Sequence, residues 1–183
     1  MSVKVKFPAM QATIGQRTYY VCVMKFSDVS HMFMFRFRDW IEFPPEEREQ
    51  RVLNEKRIPD IASYILDNED GYLFSSITAS YKCQERFDPI GSDGLGFLEL
   101  DYDGDKFVVN DGQHRCAAIE QAIKVNPALR DESISVLLFP YESKARVQQM
   151  FADLNRFVVK TNNATNIIFD HHDTLGRVTK GSL

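Results

Sequence analysis

No apolar run in the 183 residues approaches the roughly 20 that a membrane helix needs. The opening residues, Met1 to Lys6, lack the apolar centre of a signal peptide, so a cytoplasmic location is expected and a membrane partner is not. Cysteine is scarce. Cys22, Cys83 and Cys116 lie far apart and form no Cys-x-x-Cys pair, which argues against a disulfide framework and against a zinc ribbon. Buried thiols are the expectation for Cys22 and Cys83. Positive charge is not in excess: 22 Lys+Arg against 26 Asp+Glu give a formal net charge of -4. No overall field therefore draws the chain onto nucleic acid, and any DNA contact has to be local or made by parts or partners outside this chain. Internal repeats and low-complexity tracts are absent too. What is present is a 44% hydrophobic content, enough at this length to bury one sizeable core.

Val3, Val5 and Phe7 alternate, and Arg17 to Met24 is rich in β-branched and aromatic residues, so two strands are predicted. Ser27 and Asp28 stand where they would cap a helix through Val29 to Phe37, although Phe33, Phe35 and Phe37 alternate like a strand. Pro44-Pro45-Glu46-Glu47 has the imino acids and acidic first turn of a helix that continues from Arg48 to Lys56. Ile58, Ile61, Ala62, Ile65 and Leu66 recur at the spacing of one buried helix face after Arg57, and Asn68 to Gly71 ends that helix. Tyr72 to Tyr81 reads as extended. Phe97 to Tyr102, Asp103-Gly104 and Asp105 to Val109 predict a hairpin closed by an Asp-Gly turn. Ile134 to Phe139, bounded by Pro140, reads as a strand buried on both faces. Ser143 precedes a helix with Val147, Met150, Phe151 and Leu154 on one face. The tail carries Thr161, Asn162, Asn163, the apolar group Ile167-Ile168-Phe169 and a polar end from Gly176 to Leu183. The alternation of elements predicts an α/β (α+β) fold, a mixed sheet covered by helices.

Between the run Phe107-Val108-Val109 and the segment from Cys116 to Ile123 lies Asp111-Gly112-Gln113-His114-Arg115, in the order strand, tight turn, helix. A helix that opens with His and Arg over its unsatisfied N–H groups suits an anion. Gly112 permits the turn and the close approach of a ligand, and Arg115 offers a planar donor fork matched to phosphate. His114 adds a hydrogen bond or partial charge near neutral pH, and Gln113 can read a polar edge. Asp111 has three open roles: holding a phosphate-bound metal, accepting a proton, or capping the helix. An ordinary Asp-Gly turn, with Asp111 as cap and Arg115 in a surface ion pair, would read the same way.

Asp111 to Arg115, followed by Ala117-Ala118, resembles the signature of the DGQHR-domain proteins, and the wider pattern is similar to the DndB family among them. A second block, Met150 to Arg156 with Lys160 shortly after, resembles the Phe-x-x-Leu-Asn block that follows the motif in that family. The resemblance runs from about Arg17 onward. It implies a place in a bacterial DNA phosphorothioate (sulfur) modification system, in which sulfur replaces a non-bridging phosphate oxygen. For the DndB type it implies a DNA-binding negative regulator, a repressor of the modification operon. Members of that type are considerably longer, so residues 1–183 are expected to form a single DGQHR domain, the N-terminal part of a longer protein. The turn also resembles the ParB and sulfiredoxin type of nucleotide-binding turn, which implies a strand-turn-helix core of that kind. By this resemblance Gly112, Gln113, His114 and Arg115 face phosphates, with Asp111 nearby and Asn155 and Lys160 as second-block contacts; were the turn catalytic, Asp111 and His114 would be the candidates. The implied cofactor is a nucleoside triphosphate with Mg²⁺. The implied partners are DNA, promoter or phosphorothioate-modified, and other proteins of the system, with association into a homo-oligomer left open.

Asp170-His171-His172-Asp173 places two histidines next to each other, where they point in different directions on a helix, so a solvated turn is expected and no metal site. Cys116 opens a helix beside cations. Packing beneath the turn is the expected role, and a reactive thiol the alternative. Lys4/Lys6 and Arg36/Arg38 alternate with apolar residues as on the solvent face of a strand. Phe33, Phe35, Phe37 and Trp40 read as core before they read as a base-stacking surface. Asn155, Arg156 and Lys160 at a helix end also suit the helix dipole. Two functions follow. One is a DNA-binding regulator whose affinity falls as salt rises. The alternative is a nucleotide-dependent enzyme, an NTPase in which Arg115 and His114 stabilise phosphate charge and Asp111 positions Mg²⁺ or water. No general base or P-loop lysine stands out, so binding comes before hydrolysis.

Overall fold

The computed structural model describes residues 3–33, 57–102 and 107–156. By its contacts the chain divides into two compact units, Met1–Phe151 and Ala152–Leu183. Of the second, residues 152–156 are described, and they are the end of a helix. The expected helix over Pro44 to Lys56, the residues Arg36, Arg38, Phe35, Phe37 and Trp40, the Asp103-Gly104 turn, Lys160 and the tail with His171 and His172 lie outside the described residues.

The chain opens with the two expected strands, β1 (Val3–Ile14) and β2 (Arg17–Lys25), paired antiparallel. Gly15 and Gln16 join them with φ of +54° and +63°, the mirror-image turn whose twist matches the flanking strands. Helix α1 (Phe26–Met32) follows at once, with Lys25 as its N-cap and no capping side chain. Ser27 and Asp28 therefore sit inside the first turn instead of capping it. The start is set by Phe26, whose buried ring lies against Tyr72 with centroids 6.4 Å apart. At the other end Phe33 has left helical geometry, short of the expected Phe37, and is itself buried. Helix α2 (Arg57–Asp67) has the face expected of it, with Ala62 and Ile65 buried and Ile58, Ile61 and Leu66 packed on the core. Its end is the Asn68 carbonyl, which accepts the N–H groups of Gly71 and Tyr72.

Then come β3 (Ile77–Tyr81), β4 (Glu85–Pro89), β5 (Leu95–Tyr102), β6 (Phe107–Asp111), α3 (Gln113–Val125), a 3-10 turn over Pro127–Asp131, β7 (Ser133–Pro140) and α4 (Lys144–Arg156). The seven strands form one mixed sheet in the order β4-β5-β1-β2-β7-β3-β6, an α+β architecture in which β3 and β7 are the parallel pair. The expected hairpin between β5 and β6 is not there. β5 pairs with β1 and β4, whereas β6 pairs with β3 at the opposite edge. Each strand has its period and its apolar face, but those features do not name a partner, and β5 pairs along eight residues of β1 while β6 closes the edge beside β3. The connection has a geometric consequence. Five residue steps reach about 18 Å at full extension, while strands five places apart in a flat sheet would be about 24 Å apart. The sheet must curl, and the rings of Tyr102 and Phe107 do meet at 5.8 Å. β1 shows the bend, pairing with β5 through Val3 to Met10 and with β2 through Ala9 to Ile14.

The core lies between the sheet and α1, α2 and α3. Cys22, Met24, Ile77, Leu98, Leu100, Val136 and Leu138 come from the strands, and Val29, Ile65, Ala118, Ile119 and Ala122 from the helices. α3 packs against both α1 and α2. β7 differs from its expected double burial: Ile134, Val136 and Leu138 are buried, but Ser135 and Leu137 on the other face are only half covered. β3 is the strand buried on both faces. In α4 Val147 and Met150 are buried as expected, whereas Leu154 is 40% exposed. Cys22 and Cys116 are buried thiols, and burial pushes both up to about 12. Cys116 thus packs beneath the turn and is not a low-pKa nucleophile.

At the edge, Ala79 pairs with Val109 while Thr78 pairs with Asp111, so Asn110 is the extra residue of a bulge just before the motif. Asn110 is fully buried, and its Oδ1 accepts the Ser80 hydroxyl at 3.0 Å. Ser80→Ala would strip that acceptor of its donor inside the protein. The expected cost is about 1–3 kcal/mol of unfolding free energy, measured as a lower urea midpoint at unchanged slope. A midpoint equal to that of the native chain would remove the pair from the account of the bulge.

Candidate functional site

The motif residues fall where β6 hands over to α3. Asp111 is the last residue of β6, Gly112 is the N-cap of α3 at φ +100°, and Gln113, His114 and Arg115 form its first turn. The first bond of the helix runs from the Cys116 N–H to the Gly112 carbonyl at 2.9 Å. The backbone N–H groups of Gln113, His114 and Arg115 precede it and have no acceptor within the helix. No side chain caps this end and no acidic residue occupies the first turn, so the positive end of the helix dipole is not offset from within α3.

Arg115 is the organising side chain. It is 19% exposed, and one guanidinium nitrogen donates to Asp111 Oδ2 at 2.7 Å and to the Ser76 carbonyl at 3.2 Å. The other terminal nitrogen donates to Ser75 Oγ at 2.6 Å, and Nε is buried without a partner. The fork thus ties the end of β6 to the segment that leads into β3. The open alternatives for Asp111 narrow accordingly: its carboxylate, 45% exposed, pairs with Arg115 across one helical turn and does not cap the helix. Gln113 turns back, its side-chain amide donating to the Val109 carbonyl at 3.1 Å. A Cβ on Gly112 would meet the Arg115 guanidinium at 3.0 Å and Ile77 at 3.1 Å, in a backbone region that L-residues rarely adopt.

His114 is half-buried, and its pKa is lowered chiefly by that burial and further by the charges of Arg57 and Arg115, with Asp111 acting in the opposite sense. Three cationic or protonatable groups, Arg57, His114 and Arg115, therefore act at one helix start, where Asp111 is the one carboxylate among the described residues. Sequence reasoning did not find Arg57, Ser75 or Ser76. No spacing links them to the motif, because they join it only through the packing of α2 and of the segment before β3. Asn155 falls in the last turn of α4 with its side chain outside the described residues, so neither it nor Lys160 is placed beside the turn. Among the described residues no three His, Cys, Asp or Glu side chains gather as a metal site. Nearby, Tyr72, Phe74, Glu69, Asp70, Glu132 and Ser135 line a cavity of about 340 Å³. Its carboxylates make it a poor seat for phosphate, and the Tyr72 hydroxyl already donates to Glu132.

The fold and this turn define an α+β domain whose strand-turn-helix junction carries an Asp-Gly-Gln-His-Arg motif. The chain belongs to the DndB family of DNA-sulfur modification-associated proteins, whose profile matches residues 7–183. No curated protein and no solved structure matched the chain. Family membership ties the protein to DNA sulfur modification, and no helix of the described residues is long and apolar enough to cross a membrane.

Two outcomes follow from the geometry. Gly112→Ala should cost about 1–3 kcal/mol through backbone strain and through displacement of the Arg115 fork, read as a lower unfolding midpoint. The lowered pKa of His114 sets a pH dependence. The unfolded chain binds the proton at a higher pH than the folded one, so the contribution is fully present above the ordinary histidine value and is lost as pH falls through the folded value. His114→Gln should therefore make stability fall less steeply over that acidic interval, and identical pH profiles would assign the steepness to other groups.

Proposed function

We propose that the chain is a DNA-binding regulator of a bacterial phosphorothioate modification system, a repressor of the modification operon, with a phosphate or nucleotide site at the Asp111 to Arg115 turn. The observation that carries the site is the convergence of Arg57, His114 and Arg115 on a helix start whose first turn holds no acid, with Asp111 the one carboxylate beside it among the described residues. An anion there would accept from the first-turn N–H groups and would raise the proton affinity of His114, offsetting the two neighbouring cations. Gly112 lets the Arg115 guanidinium lie close against the turn, where a Cβ would meet it at 3.0 Å. The partners are DNA, promoter or phosphorothioate-modified, and other proteins of the system.

A nucleoside triphosphate with Mg²⁺ fits the donors as far as they go. Gly112, Gln113, His114 and Arg115 would face the phosphates, Asn155 and Lys160 would add contacts from the second block, and the metal would take Asp111 as its one carboxylate. Such a group would supply charge neutralisation on the phosphate oxygens. The chain's own part is to hold the phosphates by backbone N–H groups and to present Asp111 at a fixed place through Arg115. The alternative, an NTPase with Asp111 and His114 as catalytic groups, needs Asp111 to leave Arg115 for water or metal.

Titration calorimetry with ATP, GTP and CTP in Mg²⁺ tests the site. Saturable binding is expected, weakened at least about tenfold in Arg115→Ala, the loss of one charge-assisted contact. Asp111→Asn separates the readings: tighter binding follows if the carboxylate only competes for Arg115, and weaker Mg²⁺-dependent binding follows if it holds the metal. Absence of heat with every nucleotide would remove the nucleotide site and leave the turn a structural clamp.

A further inference from the structure

We infer that the opposite end of the sheet is a surface for the phosphate backbone of duplex DNA, formed by Arg17, Lys82 and Arg146 on a floor of Tyr19, Phe139 and Tyr141; this rests on the reading that the protein binds DNA. β3 and β7 run parallel, with Ile77 beside Val136 and Tyr81 beside Pro140, so both leave the sheet at one end. β2 runs against β7 with Tyr20 beside Leu138, which brings Arg17 and Tyr19 to that same end. Asp111 pairs with Thr78 at the start of β3, so the motif turn lies at the other end. These are two sites, not two edges of one.

The aromatic floor is ordered. Tyr19 and Phe139 stack with centroids 5.1 Å apart and planes 10° apart. The Arg17 guanidinium lies 5.8 Å from the Phe139 ring centroid, and the Lys82 ammonium 4.4 Å from that of Tyr141. The Tyr141 N–H donates to the Tyr81 carbonyl at 2.8 Å and so fixes the exit of β7 against that of β3. Two residues later the Ser143 hydroxyl accepts the Arg146 N–H at 3.2 Å, and α4 begins. Among the described residues none of the three cations is paired with a carboxylate, and the Nε atoms of Arg17 and Arg146 are buried without hydrogen-bond partners. Glu142 is the exposed carboxylate of this connection.

Along the other strands and helices Lys4 pairs with Glu99, Lys6 with Asp88, Lys25 with Asp131, and Lys124 with Glu120. At the far end of β7 the carboxylates Glu69, Asp70 and Glu132 gather around the cavity. This end of the sheet thus groups three cations that have no carboxylate partner among the described residues, the local arrangement that DNA contact by a chain of net charge -4 requires. Phe139 is buried and Tyr19 and Tyr141 are half-buried, so the rings support cations and do not offer faces to unstacked bases. Backbone contact, not base reading, is what this surface can do.

The test is fluorescence anisotropy of the whole chain with a short labelled duplex of arbitrary sequence, as a function of salt. The native chain is expected to bind at low salt. Arg17→Ala, Lys82→Ala and Arg146→Ala together should weaken binding at least about tenfold and flatten the plot of log affinity against log salt by about 2.7, the value for three phosphate contacts. Lys82→Glu alone changes an exposed side chain, and it should flatten the plot by about 0.9 or more even if the triple variant folds poorly. Native binding that neither variant alters would overturn this surface and leave DNA binding to another part of the chain. Failure of the native chain to bind at low salt would overturn the DNA-binding reading, and this surface with it.

Discussion

The connection from Tyr102 to Phe107 is too short to cross a flat sheet, and most of the architecture follows from that constraint. It joins strands that stand second and last in the sheet order, so the sheet has to curl until their ends meet. The meeting point is aromatic: Phe107 touches both Tyr102 and Phe33, and the Tyr102 hydroxyl donates to the His31 carbonyl. α1 is thereby fastened where the curl closes. β6 is carried to the edge beside β3, its bulge at Asn110 bends the strand end, and the chain enters Gly112 from there.

What the turn then does depends on Arg115. Its side chain is held by groups from two places, Asp111 on its own strand end and Ser75 with Ser76 before β3. An arginine fixed in this way is pre-organised, and an anion arriving at the helix start would find the charge already in place. The same bonds set its limit, since full use of the fork by a ligand means displacing Asp111 or the serines. On the proposed reading an anion would compete with Asp111 for the fork, and the charges of His114 and Arg57 would favour the ligand.

Charge is segregated along the sheet. The motif end combines its cationic turn with the neighbouring acidic cavity, while the exits of β3 and β7 carry unmatched cations on an aromatic floor. A net charge says nothing of such an arrangement. The element types were legible wherever periodicity was strong: the first two strands, the face of α2, the cap of α4 by Ser143, the strand-turn-helix order at Gly112, and Lys4 and Lys6 on a solvent face with carboxylate partners. The helix at Phe26 starts two to three residues before the start that Ser27 or Asp28 would set as cap, because the burial of an aromatic ring outweighed two good capping residues.

By itself the sequence determined what most short segments would become and which five residues form the turn, because propensity, turn chemistry and apolar period act over a few neighbouring positions. The motif and its family membership were legible for the same reason: five consecutive residues carry them. Tertiary structure alone decided who pairs with whom. β5 and β6 adjoin in sequence and read as a hairpin, yet four strands stand between them, since pairing is chosen by the whole set of ladders and the core they enclose. It likewise decided that Arg115 binds Ser75 and Ser76, that Arg57 lowers the pKa of His114, and that Arg17, Lys82 and Arg146 share one end of the sheet. Those contacts join residues tens of positions apart, and no local rule of spacing encodes them.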